Sequence, residues 1–176
     1  MDNKFELMRQ PEDIDVDSFR FEIAKNGERL TSTELYMCIC VALYDQSSKI
    51  GAMIHDMIRD ESLEEKFQKF LTETDGKISD IVVTGGAHAK DYEERLDQAI
   101  EENLEHVRQV VQKFQGTARV HEHQSSNDTR TVLTLDTKNG IFEILIGPDE
   151  RNGKNPNFVK RKLIIKGGEE KWQFQK

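Results

Sequence analysis

The sequence has little cysteine, no long apolar run and a shortage of positive charge, and each shortage excludes a class of protein. Only two of its 176 residues are cysteines, Cys38 and Cys40. Two cysteines separated by one residue on a strand are poorly placed to bond to each other, so we expect free thiols and a cytoplasmic location. No apolar run approaches the roughly 18 residues of a membrane-spanning helix. Residues 1–17 lack the apolar core of a secretory signal.

The shortage of positive charge limits which kind of molecule the protein can bind. The chain carries 25 lysines and arginines against 33 aspartates and glutamates, a formal net charge of −8. An acidic surface repels a polyanion, so nucleic acid is excluded as the main partner. The length is sufficient for one domain with a hydrophobic core, and we find no internal repeat or low-complexity tract.

The most informative stretch consists of two apolar runs, 35–44 and 49–57. Their length and their content of branched and aromatic side chains predict two β-strands. The polar residues 45–48 predict a turn between them. Together they predict a β-hairpin.

The hairpin contains both cysteines and one histidine, and its register decides which of them meet. A turn centred between Gln46 and Ser47 places Cys38 directly opposite His55, with Cβ atoms about 4.5–5.5 Å apart. A turn centred at Ser47 pairs Cys38 with Asp56 instead. A thiol facing an imidazole is a candidate nucleophile and base. The alternative is that Cys38 is a small core side chain.

The same stretch resembles the active-site hairpin of the CheD-type chemoreceptor glutamine deamidases. That family carries L-G-S-C-V-x-V-x-L-Y-D, a turn, and then K-I-G-G-M-x-H. The matching residues here are Leu35, Cys38, Val41, Leu43, Tyr44, Asp45, Lys49, Ile50, Gly51, Met53 and His55. The chain departs from the pattern at Tyr36-Met37, where the family has Gly-Ser, and at Ala52, where it has glycine.

The resemblance is weaker further along the chain. Gly85–Ala87 matches a G-G-A segment of the family, either as a turn or as backbone N–H groups aimed at a reacting oxygen. Arg130 alone matches the family's glycine-rich D-x-G-G-x-x-G-R segment. His121 and His123 share a strand face that a metal can use. Without a cysteine or third histidine nearby in sequence, we expect no metal there.

The resemblance implies hydrolysis of a glutamine side-chain amide on a protein. Cys38 would be the nucleophile, His55 would transfer the proton, and Ser32 stands where the family has a threonine that assists the histidine; the other interpretation of Ser32 is a loop residue. No cofactor is implied. Chemotaxis receptors are the implied substrates, with a CheC-type phosphatase as a possible partner. The alternative function is a non-catalytic module of the same fold that docks on a signalling partner, which Tyr36-Met37 and the missing glycines favour.

The remaining patterns predict the fold. We expect one α+β domain in which mixed and antiparallel strands form a sandwich-like core, with two amphipathic helices packed outside. The predicted helices are 62–72 and 91–115. We divide the chain into an acidic arm (1–18, mobile or an edge strand), a deamidase-like domain (19–150) and a basic C-terminal extension (151–176, an edge hairpin or a docking segment).

Overall fold

The elements of this protein follow from a computed structural model that describes Gln10 and residues 12–56, 60–87, 94–127, 129–148 and 160–175. The helices are α1 (Leu63–Glu73) and α2 (Glu94–Phe114). The strands are β1 (Ile14–Val16), β2 (Arg20–Ala24), β3 (Arg29–Ser32), β4 (Ile39–Asp45), β5 (Ile50–Asp56), β6 (Asp80–Gly85), β7 (Arg119–Gln124), β8 (Thr129–Asp136), β9 (Ile141–Pro148), β10 (Lys160–Lys166) and β11 (Glu169–Gln175).

The described strands form two sheets. One sheet has the order β1-β3-β8-β9-β10-β11, and the other has the order β2-β5-β4-β6-β7. Neighbouring strands are antiparallel except for the pairs β1–β3 and β6–β7, which are parallel. The predicted fold class, α+β with a mixed sandwich-like core, is confirmed.

Strand β4 lies at the centre of the second sheet and separates two cores. Successive side chains of a strand point to opposite faces. Even-numbered residues 40–44 therefore enter the core between the two sheets, and odd-numbered residues 39–43 enter the core beneath the helices. All seven residues of β4 are buried, which explains why the sequence shows a continuous apolar run there rather than an alternating one.

The two helices cover the outer face of the second sheet. Helix α1 buries Leu63, Phe67 and Phe70, whose spacing places them on one side of a helix. Helix α2 adds Leu104 and Val107 to the same core. Neither helix in the described part of the chain combines the length and the apolar character needed to cross a bilayer.

The described ends of the chain belong to the first sheet. Ile14–Val16 forms its edge strand β1, parallel to β3; this is one of the two alternatives considered for the acidic arm. At the other end, β10 and β11 form an edge hairpin that pairs with β9, and Leu163 and Ile165 of β10 are fully buried. The three-part division of the chain stays a prediction.

Candidate functional site

The β4–β5 hairpin is present, but both registers considered from the sequence are wrong. Cys40, not Cys38, lies directly opposite His55, and Asp56 pairs with Ile39. Cys38 precedes the first residue of β4 and is the diagonal neighbour of His55. Because the pairing is shifted from the expected one by two residues, the strand period keeps Cys38 on the face of His55. Diagonal neighbours lie about 7–8 Å apart, which long side chains can span.

The turn chemistry explains the shift in register. Asp45 pairs with Ile50, so four residues form the turn. The Asp45 carboxylate accepts hydrogen bonds from the Ser47 hydroxyl at 2.7 Å and from the Ser48 N–H at 2.8 Å. Lys49 then adopts a left-handed backbone with φ 56°, a conformation that residues with a β-carbon seldom take. The sequence pattern did not predict this left-handed backbone conformation at Lys49.

His55 is held as a neutral base. Its Nδ1 lies 3.0 Å from the Val16 carbonyl oxygen and 3.2 Å from Thr33 Oγ1. A carbonyl only accepts hydrogen bonds, so Nδ1 carries the proton and donates it to Val16. Burial lowers the pKa of His55, although the Val16 hydrogen bond and the charges of Asp17 and Asp15 act in the opposite direction.

Within the described part of the chain, the second ring nitrogen of His55 has no hydrogen-bond partner. His55 is fully buried, and its Nε2 has no hydrogen-bond partner among the described residues. In the neutral ring with the proton on Nδ1, Nε2 holds a lone pair. A buried polar atom without a partner is costly, so a base in this position is consistent with a functional role.

The environments of the two cysteines make Cys38 the better candidate for a nucleophile. Cys40 is fully buried, and burial raises the pKa of its thiol strongly. Cys38 is 8% exposed. Burial also raises the pKa of the Cys38 thiol, but hydrogen bonds from the Ser18 hydroxyl and from the backbone N–H groups of Cys38 and Tyr36 oppose this effect, while Asp56 adds to it. Cys38 therefore has the donors that stabilise a thiolate.

The hydroxyl beside His55 belongs to Thr33, a residue that the resemblance to the family did not indicate. The expected residue, Ser32, instead accepts a hydrogen bond at its Oγ from the Leu133 N–H at 2.9 Å. Adjacent residues in extended chain point to opposite sides, so only one of the two hydroxyls can reach His55. Counting residues back from Cys38 predicts Ser32 as the hydroxyl beside His55, whereas the packing of the elements places the Thr33 hydroxyl there.

The glycine pair acts as a turn that packs against the backbone of Cys38. The Gly86 N–H donates to the Cys38 carbonyl oxygen at 2.9 Å, and the Ala87 N–H donates to the Tyr36 carbonyl oxygen at 2.8 Å. These two N–H groups are therefore not available to a reacting oxygen. Gly85 has φ +102°, and a β-carbon there would lie 2.1 Å from the Cys38 carbonyl oxygen.

Tyr36, which stands where the CheD-type deamidases have the glycine of their Gly-Ser pair, is held by an ion pair between Glu34 and Arg130. Arg130 Nη1 donates to Glu34 Oε2 at 2.8 Å, and the Tyr36 hydroxyl donates to the same oxygen at 3.1 Å. Arg130 is 8% exposed. Tyr36 therefore stands in a fixed position two residues before Cys38.

The two histidines of β7, His121 and His123, contact β11 rather than Cys38 or His55. His121 Nδ1 and His123 Nε2 lie 2.7 and 3.1 Å from the same oxygen, Glu170 Oε1 of β11. Among the residues that the structure describes, no group of three or more His, Cys, Asp or Glu side chains is arranged to hold a metal ion. His88 is the histidine that would be tested next if replacement of His55 left activity intact, and it lies outside the described residues.

Two known proteins are similar to this chain. The probable chemoreceptor glutamine deamidase CheD of Clostridium tetani (strain Massachusetts / E88) is 28% identical over 140 residues, which are 69% of this chain and 84% of that protein. The protein of the same name from Methanosarcina barkeri (strain Fusaro / DSM 804) is 26% identical over 137 residues, 67% of this chain and 86% of that protein. No protein-family model matches the chain. The resemblance expected from the hairpin motif is confirmed at the level of a divergent relative.

Proposed function

We propose, from this similarity to the CheD-type chemoreceptor glutamine deamidases, that the chain hydrolyses a glutamine side-chain amide on a protein substrate. Cys38 is the nucleophile and His55 is the base. One observation carries the proposal: the buried Nε2 of His55 has no partner among the described residues, and its tautomer is set by the Val16 carbonyl on the sheet face that also holds Cys38.

The first half-reaction forms a thioester. Because burial disfavours both the thiolate and the imidazolium, the pair starts as a neutral thiol and a neutral imidazole. Cys38 Sγ attacks the carboxamide carbon while His55 Nε2 takes the thiol proton. The imidazolium then gives this proton to the departing nitrogen, the C–N bond breaks, and ammonia leaves.

The second half-reaction regenerates the thiol. His55 Nε2 takes a proton from water as its oxygen attacks the thioester carbon, and the C–S bond breaks to give a glutamate side chain. The sulfur recovers its proton from the imidazolium. The backbone N–H groups of Cys38 and Tyr36, which act to lower the pKa of the Cys38 thiol, are the donors we assign to the developing oxyanion.

Thr33 takes the orienting role that spacing assigned to Ser32. Its Oγ1 is 3.2 Å from His55 Nδ1, close enough to fix the ring plane together with Val16. We assign Ser32 to the contact between β3 and β8 through Leu133. No cofactor takes part in the proposed reaction.

The biological setting extends the proposal. Chemotaxis receptors are the substrates we favour, since both relatives are named as probable chemoreceptor deamidases. A CheC-type phosphatase is the regulatory partner and the cytoplasm the location that this setting entails.

The decisive experiment uses the full chain and glutamine-containing receptor fragments. Mass spectrometry after proteolysis should detect conversion of specific glutamines to glutamate, because hydrolysis changes the residue mass. Cys38→Ser should abolish the conversion, whereas Cys40→Ser provides the matched control and should retain it. Equal conversion with the wild-type chain and the Cys38→Ser variant would contradict the proposal.

A non-catalytic binding module is the second candidate. It is favoured by the near-complete burial of Cys38, by the raised pKa of its thiol and by Tyr36 at the place of a small residue. In that case receptor fragments would bind to the chain, and no glutamine would be converted under conditions in which binding is saturated.

A further inference from the structure

The C-terminal hairpin ends the first sheet with an exposed edge strand. Strand β11 pairs with β10 and is the last of the described strands in the order of that sheet. Residues 169–174 of this strand are all exposed. An edge strand presents a row of backbone N–H and C=O groups on the side that lacks a neighbouring strand, and such a row is a template for pairing with another extended chain.

The turn of the hairpin decides which backbone groups face the free edge. Residues 167–168 are glycines with φ 58° and 84°, as in the two-residue turns that close β-hairpins. The closing pair, Lys166 and Glu169, therefore exchanges hydrogen bonds, and bonded and non-bonded pairs alternate from there along the strands. Three residues of β11 consequently turn their N–H and C=O groups away from β10: Glu170, Trp172 and Phe174.

The free edge also presents two aromatic rings on one face. Trp172 pairs with Leu163, which lies in the core between the sheets, so Trp172 and Phe174 point to that side of the sheet. They are 39% and 67% exposed. The Trp172 ring is held in place by Arg161, whose Cζ lies 6.0 Å from the ring centroid, and by the perpendicular ring of His123 at 5.9 Å. Apolar side chains of an added strand would cover both rings.

The charge of the hairpin indicates which kind of strand fits this edge. Residues 160–175 carry five basic and two acidic side chains, a net charge of +3, on a chain whose net charge is −8. Lys171 is exposed in the middle of the edge strand, on the face opposite to Trp172. A positive edge attracts an acidic segment and repels a second copy of the same hairpin.

We propose that β11 receives, as an added strand, an extended segment of a partner protein in which acidic and apolar side chains alternate. The segment would bond to the backbone of Glu170, Trp172 and Phe174, place its apolar side chains beside the two aromatic rings, and place its acidic side chains beside Lys171. An anionic bilayer supplies negative charge but no backbone groups for the free edge. The proposal does not depend on the deamidation reaction, since it uses neither Cys38 nor His55.

The first test measures binding of synthetic peptides to the full chain by fluorescence anisotropy. A peptide of about seven residues, the length of β11, in which glutamate and valine alternate should bind. Three matched peptides should bind at least about fivefold more weakly. One has lysine in place of glutamate, one has the same composition in two blocks, and one is N-methylated at every residue, so that it keeps the side chains and loses the backbone donors.

Variants of the chain separate the parts of this surface. Lys171→Glu should weaken binding of the alternating peptide about fivefold, because an attractive cross-strand pair becomes a repulsive one. Phe174→Ala should weaken binding through loss of the ring, and Phe174→Pro should weaken it further because proline also lacks the N–H that faces the edge. The control Lys138→Glu makes the same charge change in the exposed turn between β8 and β9 and should match the wild type.

Amide hydrogen exchange measured by NMR locates the bound peptide. Binding should slow exchange at Glu170, Trp172 and Phe174, whereas Lys171 and Gln173, which already bond to β10, should change little. Equal binding of the N-methylated peptide, or protection that does not alternate along β11, would overturn the proposal. Binding of the wild type to anionic phospholipid vesicles but not to the peptide, or self-association of the chain that protects the same three N–H groups, would overturn it as well.

Discussion

At the scale of single residues, the protonation states of Cys38 and His55 decide how the proposed reaction would begin. Burial raises the pKa of the thiol and lowers that of the imidazole. Both effects favour the neutral pair over a thiolate–imidazolium pair. In the proposed reaction the proton must therefore move from sulfur to Nε2 during the attack, and the Nδ1 proton held by Val16 leaves the lone pair of Nε2 to accept it.

The first prediction concerns the titration of His55. Because its pKa in the folded chain is lowered, its ring should remain neutral below the ordinary histidine midpoint of about 6.5. The lowered pKa also makes the free energy of unfolding depend on pH. The contribution of the neutral His55 ring to this free energy is fully present above the pKa of the unfolded chain and is lost as the pH falls through the pKa of the folded chain. Histidine ring-proton NMR measures the midpoint, with His55→Gln used to assign the signal. A midpoint at or above the ordinary value would contradict the buried-base assignment.

The second prediction separates the two cysteines. Iodoacetamide at neutral pH should label Cys38 first, because Cys38 retains 8% exposure and burial raises the pKa of its thiol less than that of the fully enclosed Cys40. Peptide mapping with fragmentation distinguishes the two positions. Protonation of His55 at acidic pH should change the rate at Cys38. Modification of Cys40 before Cys38 would reassign the nucleophile to the residue directly opposite His55.

At the scale of elements, the site depends on the close approach of the end of β6 to the start of β4. Gly85 pairs with Ile39, and the next two N–H groups bond to the backbone around Cys38. The absence of a β-carbon at Gly85 allows this approach. The turn thus positions the backbone around Cys38, the proposed nucleophile, and its Gly86 and Ala87 N–H groups are already bonded.

The third prediction tests this approach by comparing two glycines. Gly76 also has a positive φ, +77°, but no atom lies within 4 Å of a β-carbon built there. Gly76→Ala should therefore cost only the backbone strain, about 1–2 kcal/mol. Gly85→Ala should cost at least about 2 kcal/mol more, because its β-carbon overlaps the Cys38 carbonyl oxygen. Urea unfolding of both variants measures the difference, and equal losses would show that the close contact has no energetic weight.

At the scale of the whole molecule, the C-terminal hairpin joins the free edges of the two sheets. Glu170 accepts hydrogen bonds from both histidines of β7, and the Arg119 guanidinium donates to the Gly167 carbonyl oxygen at 3.1 Å. The hydrogen bond from His121 lowers the pKa of Glu170. The described part of the basic extension therefore packs as part of the sandwich.

The fourth prediction asks whether this hairpin contributes to the common core. Leu163 is fully buried between the sheets, whereas Phe174 on the partner strand is 67% exposed. Leu163→Ala should lower the free energy of unfolding by about 2–5 kcal/mol, while Phe174→Ala should change it by less than about 0.5 kcal/mol. Denaturant unfolding with a single transition checks both values. A negligible loss for Leu163→Ala would identify the extension as an independent attachment.

Local pattern determined much of this protein. The apolar runs predicted the β4–β5 hairpin, the helical periodicity predicted α1 and the described part of α2, and the order of elements favoured an α+β sandwich. The motif also selected Cys38 and His55, and the strand period kept them on one face although the register was wrong. These features depend on residues close in sequence, so the sequence alone was sufficient for them.

Tertiary structure decided the features in which distant segments meet. The turn conformation at Lys49 set Cys40 opposite His55. The packing of β1 and the segment after β3 against β5 brought Thr33 rather than Ser32 to the imidazole. Each outcome depends on a register or an approach distance that spacing along one strand does not encode, because a shift of one residue reverses every side chain while leaving the sequence pattern unchanged.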